Sequence, residues 1–172
     1  MSRRGSYLKL ASALLVVVLA VAMLTGCGTV EKTVQEDGAT TQVVGGHLVA
    51  RVIDGDTFEV DGGERVRFIG INCPESDKPG GTEATDYTRD LLEGKTVKME
   101  ADVSDRDQYG RLLRYVWLDD TFINERIVAE GYAVAVQYPP DTKYATQLEQ
   151  VERTAESKEA GLWAQPGVME SL

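Results

Sequence analysis

Short runs of β-branched and aromatic residues, separated by turn residues, dominate the middle of the chain. Five such runs cover residues 47–53, 57–60, 64–71, 95–101 and 111–118. Runs of this length, bounded by glycine and aspartate, predict β-strands. Asp54-Gly55 and Asp61-Gly62-Gly63 stand between the first three runs, and we expect these glycines to supply the backbone freedom that tight turns require.

Three further segments carry apolar residues at spacings of three and four, a pattern that predicts amphipathic helices. The first precedes the fourth strand, contains Ala84, Tyr87 and Leu91, and ends at Gly94. The second covers 122–130 and the third 142–160. Their apolar stripes consist of Ile123 and Ile127, and of Ala145, Leu148, Val151 and Ala155. Together the elements predict an α+β fold, an OB-fold five-stranded β-barrel with three packing helices.

The first 26 residues have the pattern of a bacterial export signal. Three basic residues precede an apolar run over residues 10–24, which is too short for a comfortable membrane span. The run ends in Leu24-Thr25-Gly26-Cys27, which resembles the lipobox, a motif cleaved before a cysteine that carries a diacylglyceryl group. An ordinary signal peptide and an uncleaved helix are the alternatives, and the small residues before Cys27 favour the lipobox.

These patterns divide the chain into four parts. We expect a lipoprotein signal peptide over 1–26, a lipidated Cys27 and flexible tether over 27–45, a folded domain over 46–166 and a tail over 167–172. Cys73 is the only other cysteine, so a lipid on Cys27 leaves it without a disulfide partner. We therefore expect a monomer held by lipid at the outer face of the cell membrane, or released from it.

Charge and composition limit the chemistry. The formal net charge is −10, with 28 acidic residues against 18 lysines and arginines, so phosphate binding has to be local. His47 is the only histidine, which excludes two-histidine catalysis and argues against a histidine-rich zinc site. Serine nucleophiles lack a natural base, and no glycine-rich phosphate loop occurs. Carboxylates and arginines therefore remain as the candidate catalytic and binding groups.

Two segments contain carboxylates beside other polar or charged groups. Asp54-Gly55-Asp56-Thr57 places two carboxylates at a strand end, where oxygen ligands suit a hard cation such as calcium, although a plain hairpin turn has the same sequence. Asp107-Gln108-Tyr109-Gly110-Arg111 enters the fifth strand with an arginine and an aromatic ring, and by itself is also a turn.

Segment 65–75 brings arginines and acceptors together. Strand alternation predicts Arg65 and Arg67 on one face with Ile69 and Ile71, and the intervening residues on the other. An arginine beside apolar neighbours needs an anion, either a surface acid or a phosphate, whose oxygens match the guanidinium fork. Directly afterwards stand an asparagine and, behind a proline, Glu75.

In combination, four segments follow the order and approximate spacing of the thermonuclease, or staphylococcal-nuclease-like, family. They are Val52 to Thr57, Arg67 to Glu75, Asp107 to Arg111, and Gly161-Leu162-Trp163, and the resemblance covers about 47–163. That family has an OB-fold barrel with three helices and hydrolyses DNA and RNA, using calcium, to products ending in a 3′-phosphate. The resemblance therefore implies a calcium-dependent endonuclease.

The resemblance also implies ligands for one calcium ion. Asp56 resembles the main ligand, Asn72 occupies the position of a second carboxylate, and Cys73 would contribute its backbone carbonyl. With one sure anionic ligand, a two-metal site lacks the acids it needs. Asparagine can ligate through oxygen but removes a negative charge, so we expect weaker metal binding.

For the substrate, the resemblance implies five further contacts. Glu75 resembles the base that activates or orients water, and Arg67 and Arg111 resemble the pair that grips the phosphate. Tyr109 corresponds to an aromatic residue that contacts a nucleotide phosphate, and Tyr138 lies near the family's base-stacking tyrosine.

Departures from the family pattern leave a second interpretation open. Asn72 is the first departure. In addition, Cys73 stands where the family usually has a hydroxyl residue, Gln108 stands where it commonly has a basic residue, and the surface is acidic. A noncatalytic OB-fold lipoprotein that binds nucleic acid would share the same barrel. A surface lipoprotein that holds a peptide or a sugar is a third interpretation, but it gives Arg67, Glu75 and Arg111 no shared purpose.

Overall fold

The structure is a computed structural model and describes residues 43–172. In chain order its strands are β1 (Val43–Asp54), β2 (Thr57–Val60), β3 (Arg65–Phe68), β4 (Ile71–Asn72), β5 (Thr96–Glu100), β6 (Leu112–Leu118), β7 (Thr121–Phe122) and β8 (Val134–Ala135). The α-helices are α1 (Gly81–Leu92), α2 (Ile123–Ala129) and α3 (Ala145–Ser157), and 3-10 helices follow at Gly161–Ala164 and Met169–Ser171.

Five of the strands close into a barrel. Strands β3, β2, β1, β5 and β6 are neighbours in that order with antiparallel pairing. The barrel closes where β3 pairs in parallel with β6, with Val66 opposite Leu112 and Phe68 opposite Arg114. The short β7 extends the sheet beyond β6, and β4 pairs separately with β8. This confirms the predicted α+β fold, a five-stranded OB-type barrel with three helices.

The third strand ends earlier than its alternating pattern predicts. Pairing stops at Phe68, and Gly70 takes a positive φ of 79° that turns the chain before the short β4 begins. Ile69 and Ile71 are therefore buried in the protein rather than lined up beside Arg67 on the outer barrel face, and that part of the prediction is wrong. The alternation of side chains along the sequence does not reveal a residue with positive φ, such as Gly70, that turns the chain.

The glycines of the first two turns have different structural roles. Gly62 and Gly63 have φ values of 91° and 84°, as expected for a tight turn. Gly55 does not lie in the left-handed region, and its role is to leave space. A Cβ atom there would lie 2.6 Å from the Cβ of Cys73 and 3.0 Å from that of Ala84. The expected backbone freedom is thus wrong for Gly55, which instead lets α1 pack closely.

A single apolar core fills the barrel and the space beneath the helices. Its fully buried barrel residues are Val49, Phe58, Val66, Val97 and Val116. On α2, Asn124 is buried among apolar neighbours, accepting a bond from the amide of Val116 at 3.0 Å and donating to the carbonyl of Ile69 at 2.8 Å. These bonds tie the helix to the barrel, because an unpaired buried amide is costly.

The boundaries of the fold differ slightly from the expected ones. Strand β1 begins at Val43, where the tether was expected, and the expected tail contributes Val168 and Met169 to the core. Helices α2 and α3 are shorter than the predicted 122–130 and 142–160. Residues 142–144 precede α3 instead of belonging to it. The expected signal peptide, Cys27 and most of the tether lie outside the described residues. Within the described part, no helix has the length and apolar character to cross a membrane.

Candidate functional site

Asp56 lies at the start of the site, in the turn between β1 and β2, and is only 7% exposed. Its Oδ2 accepts a bond from the backbone amide of Cys73 at 2.8 Å and lies 3.0 Å from Nη2 of Arg67. Its Oδ1 accepts from the hydroxyl of Thr57 at 3.2 Å. Burial raises the pKa of Asp56 to about 6, with Asp54 adding to the rise and the Arg67 guanidinium opposing it.

Arg67 joins the two side chains whose oxygens are the predicted metal ligands. Its Nη2 donates to Oδ1 of Asn72 at 3.1 Å while it contacts Asp56. Its Nη1 donates at 2.9 Å to the backbone carbonyls of Phe68 and Ile71. Arg67 therefore holds the turn after β3 closed and brings an aspartate and an asparagine oxygen to the same point.

These oxygens fit a hard cation. The Asp56 carboxylate is buried with its charge only partly offset, and the Asn72 oxygen lies within reach of the same nitrogen of Arg67, so a divalent cation would find converging oxygen donors. Among the described residues, no group of three or more His, Cys, Asp or Glu side chains could hold a metal. Backbone carbonyls and water would have to complete the coordination.

Cys73 contributes backbone rather than sulfur to this region. Its amide donates to Asp56, whereas its thiol is buried against Gly55. Burial, with the nearby Asp56 charge, raises the pKa of the thiol well above its usual range. The thiol therefore stays protonated and is a poor metal ligand, and the role expected of the Cys73 carbonyl stays a prediction.

Arg111 is held from two sides just before β6. Its Nε donates to Oδ2 of Asp107 at 2.6 Å, and its Nη1 donates to the hydroxyl of Thr57 at 3.3 Å. The other oxygen of Asp107 accepts the backbone amides of Tyr109 and Arg111 at 2.9 Å. Burial raises the pKa of Asp107, but these hydrogen bonds outweigh it and the pKa is lowered, so Asp107 is an ionised anchor.

Thr57 completes a continuous chain of polar contacts. It lies between the carboxylate of Asp56 and the guanidinium of Arg111, so contacts run from Arg111 through Thr57 and Asp56 to Arg67 and Asn72. The parallel pairing of β3 with β6 is what brings the two arginines together across the barrel closure.

Glu75 follows β4 and faces a cleft of about 680 Å³ that Arg111 also lines. The carboxylate is exposed, and in the described part of the chain it has no hydrogen bond or ion pair. The backbone carbonyl oxygen of Glu75 accepts the backbone amide of Lys78 at 2.8 Å, and α1 begins directly against it, since a Cβ atom on Gly81 would lie 2.0 Å from that oxygen. A fixed backbone thus presents a carboxylate without a protein partner.

A second cleft, of about 350 Å³, adjoins the first. Arg67 and Arg111 both line it, together with Tyr109 and Tyr138, which are 75% and 64% exposed. Tyr109 and Arg111 line both clefts. The predicted catalytic and nucleotide-binding side chains therefore surround two neighbouring clefts, with the predicted metal ligands beside Arg67.

Sequence reasoning missed two side chains of this site. Thr57 stood in a noted motif but had no assigned role, and its link to Arg111 depends on contact across 54 residues. Asp107 was also in a noted motif, and an aspartate at the start of an Asp-x-x-Gly turn was a usable signal for its bonds to the turn backbone, although not for its pairing with Arg111.

Comparison with known proteins gives a consistent result. A family model described as staphylococcal nuclease homologue matches residues 65–165. The thermonuclease of Staphylococcus intermedius is 38% identical over 161 residues, which cover 88% of this chain and 92% of that protein. The thermonuclease of Staphylococcus hyicus is 35% identical over 158 residues, covering 87% and 91%. Endonuclease YncB of Bacillus subtilis (strain 168) is 36% identical over 128 residues, covering 68% and 61%.

Proposed function

Because this chain belongs to the family of staphylococcal nuclease homologues and is a nuclease, we propose that it hydrolyses DNA or RNA with calcium to products ending in a 3′-phosphate. The observation that supports this most strongly is the chain of contacts from Arg111 through Thr57 and Asp56 to Arg67 and Asn72. It sets two guanidinium groups beside converging oxygen donors, next to a cleft that Glu75 faces.

The two arginines suit the charge that develops in phosphodiester cleavage. That reaction needs an in-line nucleophile and relief of negative charge on the nonbridging oxygens more than it needs covalent help. Arg67 and Arg111 line the same cleft, and both are fixed by protein oxygens before any substrate arrives. Calcium, when bound by Asp56 and Asn72, supplies Lewis-acid stabilisation and orients water.

Glu75 is the residue suited to handle the attacking water. Its carboxylate faces the cleft without a partner among residues 43–172, whereas the carboxylates of Asp56 and Asp107 are each paired with an arginine. A carboxylate that accepts a proton from water, or orients it, typically contributes a factor of about 10²–10⁴ to the rate.

The test is cleavage of single-stranded DNA by the full-length chain, purified in detergent, at millimolar calcium. We expect cleavage by the wild type and a loss of about 10²-fold or more in kcat for Glu75→Gln. Glu156→Gln, which removes an exposed carboxylate on α3, is the matched control and should cleave like the wild type. A Glu75→Gln rate equal to wild type removes this residue from the mechanism. Arg67→Ala is a poorer test, because Arg67 also holds the turn after β3.

A noncatalytic nucleic-acid-binding protein is the alternative, favoured by the missing charge at Asn72. In that case the folded wild type binds DNA in a salt-dependent manner at millimolar calcium and releases no product. Asn72→Asp separates the two, since it would switch on cleavage in a silent protein.

We also propose that the protein is anchored by lipid on Cys27 at the outer face of the cell membrane. The support is the sequence Leu24-Thr25-Gly26-Cys27 after a basic and then apolar segment. Cys27→Ser should move the protein from the membrane fraction to the soluble fraction and abolish acyl labelling. An unchanged membrane fraction with no acyl label in the wild type would contradict the anchor.

A further inference from the structure

The larger cleft carries more positive charge than the proposed chemistry uses. Three guanidinium groups line it, those of Arg65, Arg106 and Arg111, together with the carboxylates of Glu64 and Glu75. Only Arg111 and Glu75 belong to the proposed reaction. We refer to the part lined by Arg65 and Arg106 as the arginine cleft. Such a surface is unusual on a chain whose net charge is −10.

Arg65 is the least neutralised of these groups. It is exposed on β3, opposite Glu59 on β2. The carboxylate of Glu59 hydrogen-bonds to Arg51 at 3.0 Å and interacts with the charge of Arg65 only through space. Over residues 43–172, the Arg65 side chain forms no hydrogen bond or ion pair. Its guanidinium therefore keeps its full set of donors for a ligand.

The position of Arg65 relative to Arg67 matches the geometry of a nucleic-acid strand. Both residues point to the outer face of β3, two positions apart, which places their Cα atoms about 6.6 Å from each other. This distance is comparable to the separation of neighbouring phosphates along one strand. A strand with its scissile phosphate at Arg67 and Arg111 would bring the next phosphate toward Arg65.

Arg106 faces the same cleft in a fixed orientation. Its Nη1 donates at 2.8 Å to both Oε2 of Glu64 and the carbonyl of Gly110. Glu64 and Asp105, whose Oδ2 lies 3.7 Å from Nε of Arg106, offset part of its charge, and the remaining Nη donors are available to an anion. Tyr109, which lines this cleft and the second one, adds an exposed ring on which a base can stack.

We propose that the arginine cleft binds the phosphate adjacent to the scissile phosphate of an oligonucleotide, with Arg65 and Arg106 as its ligands. The inference rests on the proposed nuclease function and assigns the site a preference for strands of several nucleotides. Guanidinium groups pair with phosphate oxygens in a fork, and binding energy from a nonreacting phosphate raises the rate of cleavage. An acidic protein thereby obtains its substrate attraction from one local surface.

Binding without cleavage tests the arginine cleft directly. The full-length chain in detergent and EDTA is titrated with a labelled single-stranded 12-mer at several salt concentrations. Arg65→Gln and Arg106→Gln should each weaken binding and reduce the slope of log K against log salt by about 0.7. Arg153→Gln, which removes an exposed arginine on α3 outside both clefts, should leave affinity and slope unchanged. Slopes that are equal in all four proteins overturn the proposal.

Cleavage of short substrates then tests the position of the phosphate. A dinucleotide with one phosphodiester is compared with the same dinucleotide carrying an added 5′-phosphate or an added 3′-phosphate. The Arg65→Gln/Arg106→Gln variant should lose about tenfold in kcat/KM on one of the phosphorylated substrates and nothing on the plain dinucleotide. An equal loss on all three substrates indicates a structural role and overturns the proposal, as does no loss on any of them. If the wild type cleaves none of these substrates, the nuclease proposal fails. The binding experiment still tests whether Arg65 and Arg106 bind phosphate.

Discussion

At the scale of single residues, the hydroxyl of Thr57 links the two arginines of the site. It donates to Asp56 at 3.2 Å and accepts from Arg111 at 3.3 Å, and the residue is only 3% exposed. Water has little access to replace either bond. The position of Arg111 thus depends on a hydroxyl that takes no part in the proposed reaction itself.

Replacing this hydroxyl should impair catalysis more than folding. Thr57→Val keeps the shape but leaves partners unpaired, at about 1–3 kcal/mol of unfolding free energy. It should lower kcat by about 10²-fold, because a small displacement of a catalytic group is costly. Kinetics and thermal denaturation of Thr57→Val and Thr57→Ser provide the measurement. Thr57→Ser should recover most of kcat, and a wild-type kcat in Thr57→Val contradicts the linking role.

Residue types were enough to name part of the site from the sequence. Asp56 and Arg111 stood out as charged groups at the ends of predicted strands, and Arg67 as an arginine beside apolar neighbours within one; the structure places the three together. The contacts of Arg67 with the carbonyls of Phe68 and Ile71 were not predictable, because they depend on the turn at 69–70 rather than on residue type.

At the scale of elements, helix α1 packs directly against the turn that carries Asp56. The hydroxyl of Thr88 donates to the carbonyl of Gly55 at 2.8 Å, and a Cβ atom on Gly55 would collide with Cys73 and approach Ala84 closely. The absence of a side chain at Gly55 therefore sets how close the helix comes to the turn that carries Asp56.

A methyl group at this position should disturb stability and activity together. Gly55→Ala forces α1 and the Cys73 segment apart, at about 1–3 kcal/mol of unfolding free energy, and displaces Asp56. Gly62→Ala is the control: it meets open space and carries only the strain of a positive φ, so it should lower stability without changing the calcium dependence of cleavage. Denaturant unfolding and calcium-dependent rates measure both, and a fully active Gly55→Ala would refute this account of the turn.

Strand and helix patterns predicted the order of the elements but not where β3 stops. The apolar alternation runs through residue 71, yet Gly70 reverses the backbone and sends Ile71 into a separate strand. The parallel pairing of β3 with β6 could not be predicted from these patterns either, since it joins residues more than 40 positions apart. That closure is what sets Arg67 beside Arg111.

At the scale of the whole molecule, a chain of net charge −10 concentrates arginines at two adjoining clefts. The overall charge predicted only that phosphate binding is local. The barrel, by contrast, was predictable as a whole, because five short strands and three amphipathic helices in this order have few alternative arrangements. The location of the positive charges depends on the barrel closure, so composition could not predict it.

In the proposed reaction, Asp56 and Asn72 hold a calcium ion that supports cleavage between Arg67 and Arg111. The most direct measurement is the initial rate of single-stranded DNA cleavage against free calcium for the wild type, Asp56→Asn and Asn72→Asp. We predict a saturable response in the wild type, loss of the response in Asp56→Asn, and half-activation at lower calcium in Asn72→Asp, because a second carboxylate adds negative charge. A wild-type rate that is undiminished in EDTA, or an unchanged calcium response in Asp56→Asn, would contradict it.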